Sequence, residues 1–232
     1  MAEAVWSERV GSVLVVHLDD GKANALTTAS LSAVGALLDD AEHDAGVTAV
    51  VLTGREGKFC AGFDLSVMTS GDLGRITELM SAGGDLVTRL FHLEVPVVAA
   101  STGHALAAGA LLLLGCDLRL GADLPSKIGL NEVSIGVGLP TWATILAEHR
   151  LDRRHLQRSV VLAEVVDPHG AVAAGFLDEV VAPEALLATA VERAAALGAF
   201  DRAARRSAVR ALRADTVRRM FDGIAEDRAR VG

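Results

Sequence analysis

Short β-branched runs alternate with helical periods over the first half of this 232-residue chain, and that alternation limits the possible folds more than any other feature. Val13 to Leu18 is a β-branched run closed by the turn cluster Asp19-Asp20-Gly21. Leu31, Val34, Leu38 and Ala41 then recur at three- and four-residue steps, the spacing of an amphipathic helix, with Thr27 or Thr28 placed to cap it. Ala49 to Thr53 reads as a buried strand. A polar, glycine-containing stretch to about Gly74 leads into a helix ending near His92, and Val95 to Ala100 reads as another buried strand with Pro96 at its start. Gly103 to Cys116 reads as a glycine-punctuated turn running into an Ala/Leu-rich helix. Short strands alternating with helices predict an α/β unit with mostly parallel strands. From about Pro140 the pattern is almost entirely helical, broken at Asp167-Pro168, Ala182-Pro183 and Gly198. The expected plan is an α/β core over residues 1–182 and a helical C-terminal region over 183–232.

Composition narrows the function. Apolar residues make up 51% of the chain and aromatics only 3%, so the core is aliphatic and a base-stacking platform is not expected. The formal net charge of −8 also argues against a nucleic-acid partner, because polyanion binding depends on phosphate neutralisation. The charge is uneven: residues 193–232 carry ten Arg against five acids, a net of +5, which leaves −13 on the first 192 residues. That segment could be a solvated face with pairs such as Arg218 with Asp222, a contact surface for the acidic body, or an attractor for an anionic ligand. Cys60 and Cys116 lie far apart with no Cys/His cluster, which suggests neither zinc nor a disulfide framework and fits a reducing, cytoplasmic setting. Met1 to Arg9 lacks an apolar stretch of the signal-peptide kind, and the longest apolar run, Ala105 to Cys116, is too short to span a bilayer.

Several common sites are missing from the sequence: it has no GxSxG elbow, phosphate-binding GxxxxGK[ST] loop, HExxH or GxGxxG. The seven His residues show no metal-ligand spacing, and no metal site is expected. His17 and His43 read as structural, whereas His104 sits in the most glycine-rich turn. Three segments stand out: Phe59-Cys60-Ala61-Gly62-Phe63-Asp64-Leu65, Gly103-His104-Ala105-Leu106-Ala107-Ala108-Gly109 and Ile128-Gly129-Leu130-Asn131-Glu132. The first two follow buried strands and use small residues, so that two backbone N–H groups, one at the start of a helix, could converge as an oxyanion hole. The same glycines also fit ordinary turns, and the residues by themselves leave both readings open.

Together with Asp20-Gly21-Lys22-Ala23-Asn24-Ala25-Leu26 and Gly115-Cys116-Asp117, these segments make the chain resemble the crotonase superfamily, the enoyl-CoA hydratase/isomerase family, from about Val13 to Pro183. The resemblance implies a spiral of ββα repeats, assembly as a homotrimer or dimer of trimers, and an acyl-CoA thioester ligand, with no cofactor beyond the coenzyme A of the substrate itself. It implies that the N–H groups of Phe63 and Ala108 hold the thioester oxygen, and that Lys22, Ala23, Ala61 and Leu65 lie along the CoA arm. Leu65, Met68, Leu86, Leu111, Ile135 and Trp142 become candidates for the acyl pocket, although ordinary core accommodates them as well. Hydratases of the family use two glutamates; here Leu111 stands at one of those positions and Glu132 at the other. A lone Glu132 implies the Δ3,Δ2-enoyl-CoA isomerase pattern, with true hydration and a non-catalytic acyl-CoA binder as the alternatives. The chain ends at Val231-Gly232 without the Lys-rich extension of many members, which leaves the hold on the adenine end of CoA open.

Overall fold

The computed structural model describes residues 4–230; Val231-Gly232 and the first three positions lie outside them. The strands are β1 Val5–Val10, β2 Val13–Leu18, β3 Ala49–Thr53, β4 Gly57–Cys60, β5 Val97–Ser101, β6 Gly103–Leu106, β7 Leu118–Ala122, β8 Ile128–Gly129 and β9 Glu179–Val181. The helices are α1 Thr28–His43, α2 Leu65–Met68, α3 Leu73–His92, α4 Ala108–Gly115, α5 Thr141–Arg150, α6 Arg153–Val160, α7 Pro168–Ala174, α8 Leu186–Gly198 and α9 Arg202–Ala229. Strands alternate between two sheets. One is six-stranded in the order β1-β2-β3-β5-β7-β9, the other three-stranded in the order β4-β6-β8. Only β1 with β2 is antiparallel among the laddered pairs; every other pair is parallel. Each successive β3-β4, β5-β6 and β7-β8 unit therefore gives one strand to each sheet before a helix follows, which is the ββα spiral that the motifs imply.

The inner strands of the large sheet, β2, β3, β5 and β7, are buried on both faces, and their side chains sort by strand period. Leu14, Val16, Leu18, Val50, Leu52, Val97 and Ala99 enter the main core with α1, α3 and α4. Val13, Val15, Ala49, Val51, Val98 and Ala100 face Leu186, Ala190 and Ala194 of α8. α8 is thus the cover of the sheet's second face. α4 is apolar all round and every residue in it is buried, as expected of a helix that runs through a core rather than along a surface.

The arginine-rich segment is used inside the chain. α9 packs on α3 and α5, and its Arg205 and Arg213 both donate to the Asp117 carboxylate, at 2.7 and 2.9 Å. Arg213 also lies over the Phe91 ring, 4.7 Å from its centroid. Arg206 pairs with Glu94, Arg219 with Glu148 and Arg228 with Asp85, while Thr141 at the start of α5 is capped by Asp227. These pairs join the acidic body to the basic helix within one chain, and the Arg218 to Asp222 pair is a 4.0 Å surface contact. No helix among the described residues is long and apolar enough to cross a membrane.

Candidate active site

The small sheet builds the site. Its three strands run parallel, so their C-terminal ends lie on one side; in open parallel sheets, ligands bind at those ends. β4 delivers Ala61-Gly62-Phe63, β6 delivers Ala107-Ala108 and β8 delivers Asn131-Glu132.

The Asp20 to Leu26 motif holds the first of these segments in place. Asn24 sits at φ 54°, a left-handed conformation that Asn tolerates. Its buried side-chain amide donates to the carbonyls of Leu18, Lys58 and Phe59 at 2.7, 3.1 and 3.1 Å, which ties the end of β2 to β4. Burial alone would raise the Asp20 carboxyl pKa, but N–H bonds from Asn24, Lys22 and Ala25 hold it below its ordinary value. Backbone bonds then lace the loop: Ala61 N–H to Ala23, Leu26 N–H to Gly62 and Asp64 N–H to Leu26, all at 2.8–3.0 Å. The flanking residues are bonded, yet the N–H of Phe63 donates to no acceptor among the described residues.

The second segment carries backbone strain. Ala107 has φ 51° and ψ −123°, a region costly for any residue with a Cβ, and strain of this kind clusters at functional sites. Its N–H is anchored to Gly129 of β8 at 3.0 Å, and the Ala108 N–H at the head of α4 is left without a partner among the described residues. The two segments touch: a Cβ on Gly62, itself at φ 102°, would lie 3.0 Å from the Ala107 Cβ and 3.5 Å from the Ala108 nitrogen. Gly109 serves a close approach of backbone to backbone. A Cβ there would fall 2.1 Å from the Cys60 carbonyl oxygen, so this glycine lets α4 lie directly against β4.

Beside these groups is a cavity of about 420 Å³ lined by Ala61, Phe63, Leu65, Met68, Leu111 and Glu132, with Met80, Asn131 and Ile135 among the further walls. Glu132 is buried and is the one titratable residue lining it. Burial pushes its carboxyl up to about 7 against the opposing pull of its own backbone N–H, and Oε2 has no hydrogen-bond partner. Of the expected acyl-pocket residues, Met68, Leu111 and Ile135 line the cavity, as does Leu65. Leu86 and Trp142 do not; both are core residues, Trp142 packing against Gly84 of α3. An apolar side chain on a core helix has the same sequence signature whether it faces a cavity or a neighbouring helix.

A second cleft, about 300 Å³, shares Ala61 and Leu106 with the first and is lined by Ala23, Lys58, His104 and Lys127. His104 accepts the Lys127 N–H at Nδ1, and burial together with Lys58 and Lys127 lowers its pKa. Lys22 is exposed and outside this lining; Lys58 and Lys127 supply the cations there instead. The alternation in strand β6 brings His104 and Leu106 out toward the clefts while Ala105 is buried.

The sequence profile of enoyl-CoA hydratase/isomerase matches residues 8–230. The human mitochondrial enoyl-CoA delta isomerase 1 is 32% identical over 181 residues, which is 77% of this chain and 60% of that protein's length. The chain thus spans less than two thirds of this relative. A short-chain-enoyl-CoA hydratase of Clostridium acetobutylicum is 31% identical over 80% of this chain and 71% of its own. Among solved structures, a probable enoyl-CoA hydratase from Mycobacterium tuberculosis H37Rv superposes with a TM-score of 0.94 at 36% identity, covering 98% of this chain and 96% of that one. The human mitochondrial delta3-delta2-enoyl-CoA isomerase superposes with a TM-score of 0.92 at 28% identity, covering 99% and 92%. The fold is therefore the crotonase-like α/β spiral, and the chain belongs to the enoyl-CoA hydratase/isomerase family.

Proposed function

We propose that the protein catalyses Δ3 to Δ2 double-bond isomerisation of enoyl-CoA thioesters. The observation that carries this reading is the single buried carboxyl, Glu132, in an otherwise uncharged cavity beside two unspent backbone N–H groups. The thioester oxygen accepts from the N–H groups of Phe63 and Ala108. The Glu132 carboxylate takes a proton from C2, and the C–H electron pair moves into a dienolate whose charge rests on that oxygen. When the carbonyl re-forms, the C2–C3 double bond forms and C4 takes the proton back from Glu132. One acid/base group suffices for both transfers. Leu111, where hydratases of the family carry a second glutamate, leaves no second carboxylate in the cavity to hold water.

The CoA arm lies along the second cleft, with Lys58 and Lys127 facing its phosphates and Ala23 and Ala61 beside the pantetheine. Arg205, Arg206, Arg213, Arg219 and Arg228 of α9, engaged with acids of their own chain, are not needed for that task. Assembly as a trimer or dimer of trimers is part of the same reading, and sedimentation velocity tests it.

Hydration is the second reading, supported by the relatives described as hydratases. A non-catalytic binder is disfavoured by a catalytic-type carboxyl that lines the same cavity as Phe63 and Ala107. Purified protein given 3-hexenoyl-CoA and crotonyl-CoA in parallel separates the readings. Conversion of the first with little hydration of the second is expected; the reverse preference establishes the hydratase.

A further inference from the structure

Beyond Glu132, the cavity holds one more polar side chain with an unspent hydrogen-bonding group. Thr69 lines the wall, but its hydroxyl donates to the Leu65 carbonyl at 2.7 Å. Asn131 also lines it, and its Oδ1 is buried with no partner, as is Oε2 of Glu132. A buried acceptor without a donor costs about 1–3 kcal/mol, and two such acceptors on consecutive residues of one apolar cavity share a remedy. A proton on the Glu132 carboxyl supplies a donor.

The backbone keeps Asn131 in place. Its carbonyl accepts the Ser134 N–H and hydroxyl at 3.1 and 2.7 Å. Two residues upstream, Gly129 anchors the strained Ala107 turn. The same short strand therefore fixes the oxyanion segment and the Asn131-Glu132 pair.

We propose that Asn131 is a positioning residue for Glu132, its carboxamide oxygen accepting the proton that the carboxyl holds between removal from C2 and delivery to C4. This rests on the isomerase reading for its role in turnover, but the placing of both side chains on one cavity wall does not. No charged or titratable side chain other than Glu132 lines the cavity and the Thr69 hydroxyl is spent, which leaves Asn131 as the other side chain of that lining with an open acceptor.

The test is a direct infrared titration of the Glu132 carboxyl, identified by difference against Glu132→Gln, in the wild type, Asn131→Leu and Asn131→Asp. Removing the acceptor destabilises the neutral acid, so Asn131→Leu should lower the Glu132 midpoint by about one pH unit. Asn131→Asp keeps an acceptor and adds a like charge, so it should raise the midpoint. In turnover of 3-hexenoyl-CoA, Asn131→Leu should lower kcat about tenfold with KM within about twofold. Midpoints unmoved in both variants overturn the proposal, even if kcat falls. Opposite shifts support it, even in a protein found to bind acyl-CoA without turnover, which would overturn the isomerase reading alone.

Discussion

A side chain added to Gly62 would reach to 3.5 Å from the backbone nitrogen of Ala108, the N–H proposed to hold the thioester oxygen. Gly62→Ala therefore fills the hole and also strains a backbone at φ 102°. We expect kcat/KM for isomerisation to fall by about 10²–10³-fold, the cost of losing an oxyanion donor, while the affinity for free CoA is retained. Retention of near wild-type turnover would remove Phe63 and Ala108 from the proposed role.

The titration of Glu132 governs both rate and stability. The base form is required, so kcat/KM should rise with pH and level off above about 7. For stability the sign is the reverse. The folded pKa lies above that of an unfolded glutamic acid, about 4.3, so between those values the native state binds a proton that the unfolded state has released. Stability is full below the lower value and is lost as pH rises through the upper one, by about 4 kcal/mol in all. Urea denaturation at pH 5 and pH 8 should show this loss in the wild type and its absence in Glu132→Gln. Equal pH dependence in the two proteins would contradict the assignment.

Much of the fold follows from periodicity, because the elements of the large sheet and its helices obey it. The strand at Ala49–Thr53 and the Thr27 cap of α1 coincide with their sequence expectations, and the breaks at Asp167-Pro168 and Gly198 mark element ends. The small sheet is where sequence reasoning fails: β4, β6 and β8 are two to four residues long and glycine-bearing, too short for an alternation to register. Yet those strands carry the site. Phe63, Ala108 and Glu132 are candidates through motif resemblance rather than pattern. The role of Asn24 does not follow from the motif it sits in, though an Asn beside a turn cluster is a signal for left-handed backbone and local hydrogen bonds. Leu86 and Trp142 were misplaced because an apolar residue's sequence spacing does not say which helix it will meet.

Asn24→Ala tests that missed role. It deletes donors to three carbonyls and places a Cβ-bearing residue without a polar group at φ 54°. Destabilisation of about 2–4 kcal/mol is expected, with faster amide exchange at Leu26 and Asp64, whose bonds hold the Phe63 loop. Unchanged exchange there would show that the loop is held by other means.

Asp117 tests the internal use of the basic helix. In Asp117→Asn, Arg205 and Arg213 lose their shared counter-charge in a largely buried setting. Loss of about 3 kcal/mol is expected, with increased hydrogen exchange in α9 and only a small change in KM for acyl-CoA. A large rise in KM with unaltered stability would instead assign these arginines to the ligand.

The central claim is that Glu132 alone moves the proton while the backbone N–H groups of Phe63 and Ala108 hold the charge. Its most direct test is parallel measurement of double-bond migration and hydration by wild type and Glu132→Gln on short and medium enoyl-CoA thioesters. The account predicts isomerisation by the wild type, weak hydration, and a fall of about 10²-fold or more in isomerisation for the variant with acyl-CoA binding intact. Undiminished isomerisation in Glu132→Gln, or hydration outpacing isomerisation in the wild type, would contradict it.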